Sequence, residues 1–124
     1  MAITYYSEDH EWLRVDGETA TVGITNYAVE QLGDIIFVEL PAIGQTVAQN
    51  DEIAVVESVK TASDIKAPAS GQITKTNTVL EEAPEQVNDD PMGEGWFFEM
   101  TLSDEAQLSS LMDKAGYDAF VKGQ

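Results

Sequence analysis

One lysine, Lys60, falls in the connection Val59-Lys60-Thr61-Ala62 between two β-prone runs, Ile53 to Ser58 and Ser63 to Ala67. Glu57 lies three positions before it and Asp64 four after it. An amine at a hairpin tip is presented to other proteins and can be acylated by them, although such a turn taken alone more often carries only a solvated lysine. Other chemistry is scarce. A nucleophile needs an adjacent base, and the single imidazole, His10, sits near the chain start with no cysteine to activate. Ser58, Ser63 and Ser70 read as turn or strand serines. Paired carboxylates can do acid and base work, but 23 acidic residues create close pairs by chance. Asp89, Asp90 and Glu94 lack the spacing of a calcium loop, and without cysteine neither a disulfide framework nor a thiolate zinc site is available. No metal site is expected.

The elements that must hold Lys60 read mostly as strands. Trp12 to Val15 and Thr19 to Ile24 flank Asp16-Gly17, a dipeptide favoured in tight hairpin turns whose central residues take positive φ. Thr25 or Asn26 caps a short helix with Ala28 and Leu32 on one face, and Gly33 gives it a left-handed exit. Asp34 to Leu40 follows as a strand that puts Ile36, Val38 and Leu40 on one face, closed by Pro41. After Lys60, Pro68 and Gly71 punctuate the return to a strand over Ile73 to Thr76. Leu80 to Gly95, with Pro84, Pro91, Gly93, Gly95 and six carboxylates, predicts an acidic loop with room for one helical turn. Trp96, Phe98, Met100 and Leu102 alternate with Phe97, Glu99 and Thr101, the period of a half-buried strand. Ser103 is expected to cap a last helix carrying Asp104 and Glu105 in its first turn and an apolar stripe of Leu108, Leu111 and Met112. Tyr117, Phe120 and Val121 repeat the stripe after Gly116, so a break and a second short helix are expected there.

Composition bounds the partners. A chain of 124 residues fits one domain, taken as residues 1–124, and such a domain buries roughly two thirds of its unfolded surface. Six Lys plus Arg against 23 Asp plus Glu give a formal charge of -17, which repels phosphate backbones and anionic headgroups. Nucleic acid and membrane are therefore excluded as partners. The acidic surface serves either solubility or steering toward basic docking faces. Met1 to Tyr6 show no apolar or Arg-rich leader and no run reaches membrane-span length, so a cytoplasmic protein is expected.

The wider spacing changes the reading of Lys60. Gly44, Val47, Asp51, Ile53, Val56, Glu57, Lys60, Pro68, Gly71 and Ile73 together resemble the lipoyl and biotinyl carrier module, in which the lysine at a tight turn is acylated. Biotin carriers usually place methionines beside that lysine; Val59 and Thr61 stand here, so lipoate is favoured. HEW at His10 to Trp12, GITNYAVEQLGDIIFVELPAIG from Gly23, ESVKTASDI from Glu57 and VNDDPMGEGW from Val87 resemble one family, the glycine cleavage H proteins. The likeness runs from Tyr5 to Phe120 and departs from the usual pattern at Lys66-Ala67 and at Met92.

That resemblance implies a mainly β, lipoyl-type hybrid barrel-sandwich with short peripheral helices and a C-terminal helical segment. It also implies a shuttle rather than an enzyme, with lipoate attached covalently to Lys60 by a lipoate-attaching enzyme. A pyridoxal-phosphate glycine decarboxylase would load the arm with aminomethyl, a folate-dependent aminomethyltransferase would unload it, and a dihydrolipoyl dehydrogenase would reoxidise it. Glu11 and Asp64, with His10 beside them, are implied as lining a cleft that holds the loaded arm away from water. Two other readings compete: an H-like lipoyl carrier in another redox or lipoate-relay system, and a small acidic hydrolase using a carboxylate pair.

Overall fold

The structure, a computed structural model, describes residues 2–123. Among these, alternating apolar residues form nine strands in two antiparallel sheets. The larger sheet takes the order β1 (Ile3–Tyr6), β2 (Glu11–Asp16), β3 (Thr19–Ile24), β9 (Phe98–Leu102), β8 (Gly71–Thr76) and β5 (Thr46–Val47). The smaller contains β4 (Ile35–Glu39), β6 (Glu52–Ser58) and β7 (Ala62–Lys66), in that order. One apolar core draws Val22, Ile24 and Met100 from the first sheet and Val38, Val56 and Ile65 from the second. The expected mainly β architecture with short helices is what the chain adopts.

Several local expectations give way to finer geometry. Asp16 pairs with Thr19, so the central turn residues are Gly17 and Glu18 rather than Asp16 and Gly17, and of these only Gly17 takes a positive φ, 67°. In β4 the register shifts between Ile35 and Phe37, which turns Ile36 outward and leaves Ile35 and Val38 as the buried pair. A bulge of this kind adds a residue and reverses the faces that simple alternation assigns. β1, a strand beyond those the sequence pattern marks, pairs with β2 and, through Tyr6 and Met112, ties down the C-terminal segment.

The acidic stretch is more ordered than its composition suggests. It folds into α2 (Val79–Glu82) and α3 (Gln86–Asp89), with Leu80 and Val87 fully buried. Trp12 donates its indole N–H to the Pro91 carbonyl at 2.9 Å, and the Asn77 amide donates to the Glu94 and Trp96 carbonyls at 2.8 Å each. Asn88 donates to the Gly33 carbonyl and accepts from the Ile35 amide, fastening this stretch to the start of β4. Phe97, expected on the polar side of its strand, precedes β9, where simple alternation does not hold: its ring joins the core like that of Phe98, and its amide donates to the Val22 carbonyl.

At the C-terminus, Asp104 rather than Ser103 caps the first helical piece, a 3-10 turn over Glu105–Ser110. The break falls at Leu111 to Asp113, and Gly116 lies inside α4 (Lys114–Lys122), whose cap is Asp113. Tyr117 of α4 stacks on Tyr6 with ring centroids 4.8 Å apart. The remaining helix, α1 (Asn26–Leu32), is capped by the Thr25 hydroxyl and ends at Gly33.

Candidate functional site

Lys60 occupies the tip of the β6–β7 hairpin and is exposed. Glu57 pairs with Ala62, and the Ser58 amide donates to the Thr61 carbonyl at 2.7 Å, leaving Val59 and Lys60 as a two-residue loop. Such loops usually rely on glycine or asparagine. Here the buried Ser58 side chain does the work: its Oγ accepts from the Lys60 and Thr61 amides at 3.1 and 3.2 Å and donates to the Thr61 carbonyl at 3.2 Å. The Val59 amide donates to Asp34 at 3.0 Å, locking the tip against the start of β4.

Gly33 lies beneath the lysine. It has φ 83° and ψ -151°, outside the left-handed helical region expected for it and in a region open essentially to glycine alone. A Cβ added there would stand 3.3 Å from Lys60 Cε, so the missing side chain leaves a shallow channel for the lysine stem. Beyond Gly33, α1 turns Ala28, Gln31 and Leu32 toward β7, and between them lies a cleft of about 670 Å³.

The cleft brings two of the three sequence-predicted docking residues together. Asp64 lines it from β7 and His10 from the turn before β2, with Tyr27 of α1 packed against the imidazole at 4.6 Å between centroids. His10 holds a positive φ of 69°, and its Nδ1 lies 2.8 Å from the Tyr117 hydroxyl, which in turn lies 2.7 Å from Thr25 Oγ1. Glu52, which pairs with Lys66 and so lies diagonally across from Asp64, also lines the cleft; a hydrogen bond with Asp64 and the repulsion between the two charges raise its carboxyl above the ordinary range.

Glu11 sits elsewhere. Its side chain is 2% exposed and lines a separate, smaller cavity with Ser7 and Asn50. Ser7 Oγ donates to Oε1 at 2.6 Å and the Lys66 amide donates to Oε2 at 3.2 Å, so this carboxylate joins β2 to β7 from behind. Burial pushes its carboxyl up from 4.5 to about 7, against the lowering effect of those two hydrogen bonds.

Ser58, Gly33 and Glu52 were not singled out from sequence as parts of a site. A serine two positions before a turn lysine is a signal for side-chain support of the turn. Nothing local marks Glu52, which meets Asp64 only diagonally across the hairpin, beside its own partner Lys66.

A family model described as glycine cleavage H-protein matches residues 4–124. A curated protein named glycine cleavage system H protein from Beijerinckia indica is 57% identical over 122 residues, 98% of each chain. One of the same name from Symbiobacterium thermophilum is 54% identical over 117 residues, covering 94% of this chain and 91% of that one. A crystal structure of a glycine cleavage system H protein from Mycobacterium marinum superposes with a TM-score of 0.88 at 38% identity, covering 98% of this chain and 97% of the other.

Proposed function

The chain belongs to the glycine cleavage H-protein family, which makes it a carrier subunit of that system, and we propose that the lipoyl group it carries is attached to Lys60 Nζ. The observation that supports this most directly is the exposed lysine on a side-chain-braced tip, its stem passing over Gly33 at the end of the helix that walls a cleft. The residues fit the group: a lysine stem free to extend, a floor without a Cβ, and a trough large enough for a slender arm. When attached, the lipoyl group supplies a dithiolane that accepts and passes on aminomethyl.

This chain presents and shelters. Acylation removes the Lys60 charge and gives each docked partner a high local concentration of the dithiolane. We assign the partners as the pyridoxal-phosphate glycine decarboxylase, the aminomethyltransferase, the dihydrolipoyl dehydrogenase and the lipoate-attaching enzyme. The protein acts in the cytoplasm as a single domain over residues 1–124, without chemistry of its own. No helix among the described residues is long and apolar enough to cross a membrane.

Asp64 is the direct partner for the cargo's ammonium. Holding the arm ten to one over its free state requires about 1.4 kcal/mol, whereas a fully exposed ion pair gives roughly 0 to 1. Ile24, Ala28 and Leu32 along the cleft exclude water on one side and raise the pairing above that limit. His10, held by Tyr117, fixes another wall of the cleft. Glu11 acts through the β7 backbone it holds rather than by touching the arm.

Intact mass and peptide mapping of protein isolated from its own host test the attachment: a lipoyl addition at Lys60 is expected, and its location on another residue would overturn the reading. In the aminomethyl-loaded protein, Asp64→Asn should speed the loss of cargo followed by mass; equal half-lives would remove Asp64 from the mechanism while leaving Lys60 in place.

A further inference from the structure

The small sheet carries three exposed apolar side chains close to Lys60. Ile36, Phe37 and Val59 are 57%, 46% and 64% exposed. Two of them are adjacent in sequence, and both face solvent only because of the irregularity between Ile35 and Phe37. Without it, alternation would bury one of the pair. Phe37 lies opposite Glu57 of β6, Val59 follows two residues later, and the Val59 amide is bonded to Asp34 just before Ile36. Cross-strand partners share a face, so the phenyl ring and the hairpin tip belong to one surface.

Leaving three such groups in water forgoes a favourable burial, and clustered exposed apolar side chains mark interaction surfaces. Around them stand Asp34, Glu39 and Glu57, so a partner should meet the patch with an apolar centre and a basic rim. Reach decides which partner. Phe37 pairs three residues before Lys60, roughly 10 Å along the strand, well inside the footprint of an ordinary interface of about 800 Å² per partner. An enzyme acting on Nζ itself must cover this ground. One acting on the far end of an attached arm need not.

We propose that this face docks the enzyme that acylates Lys60, by an apolar contact to Ile36, Phe37 and Val59 ringed with Arg and Lys from the enzyme. The inference rests on Lys60 being the lipoylated residue. In the step it serves, the Lys60 ammonium first loses a proton. Its nitrogen then attacks the acyl carbon of an activated lipoyl donor; the new N–C amide bond forms as the donor's acyl bond breaks, and the second proton leaves with the departing group.

The test is steady-state lipoylation of the full chain by a purified lipoate-attaching enzyme with ATP and lipoate, read by intact mass. The double variant Ile36→Ser with Phe37→Ser should raise KM for the protein about tenfold and leave kcat within about twofold. Ile43→Ser, 66% exposed but beyond the opposite end of β4, should match the wild type. Once fully lipoylated by long incubation, the double variant should be reoxidised by dihydrolipoyl dehydrogenase at the wild-type rate. An unchanged KM overturns the proposal, as does an equal rise for Ile43→Ser or an equal loss with the dehydrogenase. Failure of the wild type to gain mass at Lys60 would instead overturn the attachment reading.

Discussion

The two hairpins at β2–β3 and β6–β7 have the same loop length and opposite construction. At Gly17 and Glu18 the chain reverses on a glycine with φ 67°, and a Cβ there would meet nothing within 4 Å. At Val59 and Lys60 neither loop residue is a glycine and neither takes a positive φ; the reversal is held by Ser58 and by the bond from Val59 to Asp34. The first turn depends on the permissiveness of Gly17, with its Glu18 carbonyl accepting from the Leu102 amide of β9 at 2.8 Å. The second is specified by contacts to its neighbours, which hold one lysine over Gly33. A turn that only reverses the chain can be made cheaply by glycine, whereas a turn that must present a side chain in a fixed place needs support from outside itself.

The contrast is broken most completely at Lys60. Lys60→Arg should fold with unchanged melting, because an exposed side chain contributes little stability, yet gain no lipoyl mass and abolish glycine decarboxylation in a system reconstituted with the partner enzymes. Turnover at the wild-type rate would end the carrier assignment for this residue.

Next in size is the link between the hairpins, Glu11 of β2 bonded to the Lys66 amide of β7. Its carboxyl stands at about 7 in the fold against an ordinary 4.5. Below pH 4.5 folded and unfolded chains both hold the proton. Between 4.5 and 7 the unfolded chain releases it first, so stability falls as pH rises and the loss is complete above about 7, on the order of 3 kcal/mol. Urea unfolding of wild type and Glu11→Gln from pH 4 to 8 should show this slope in the first and its absence in the second. Parallel curves would mean that Glu11 is not the group responsible.

Smaller effects sharpen the comparison of the turns themselves. Ser58→Ala strips two amides of their acceptor and should cost about 1 to 2 kcal/mol while slowing lipoylation, since the tip loses its brace. Gly17→Ala should cost about 1 kcal/mol, the penalty of a left-handed residue with a side chain, and leave lipoylation unchanged. If both variants slowed modification equally, the two turns would not differ in the way their geometry indicates.

How much of this was legible in the sequence varied with the range of the interactions involved. β3, β6, α1 and the placement of Lys60 in a turn follow from period, caps and breakers acting over a few residues. The bulge in β4 was not legible, because a run of Ile, Ile, Phe and Val alternates equally well in either phase. Leu80 and Val87 were hidden among carboxylates, and the bonds that fasten their stretch to the fold, from Trp12, Asn77 and Asn88, reach partners distant in sequence. His10 and Asp64 do share a cleft, while Glu11 beside His10 in sequence points away from it, as adjacent residues on a strand entrance do.

The sequence by itself determined that Lys60 stands in a hairpin connection, which family pattern surrounds it, and that a cysteine-free chain has neither a disulfide framework nor a thiolate metal site. Tertiary structure alone decided which carboxylates reach the cleft, which apolar side chains remain outside, and what braces the lysine. The physical reason is that periodicity fixes the face of a residue within its own element, whereas register between strands fixes what that face meets, and register is set by the packing of the whole core.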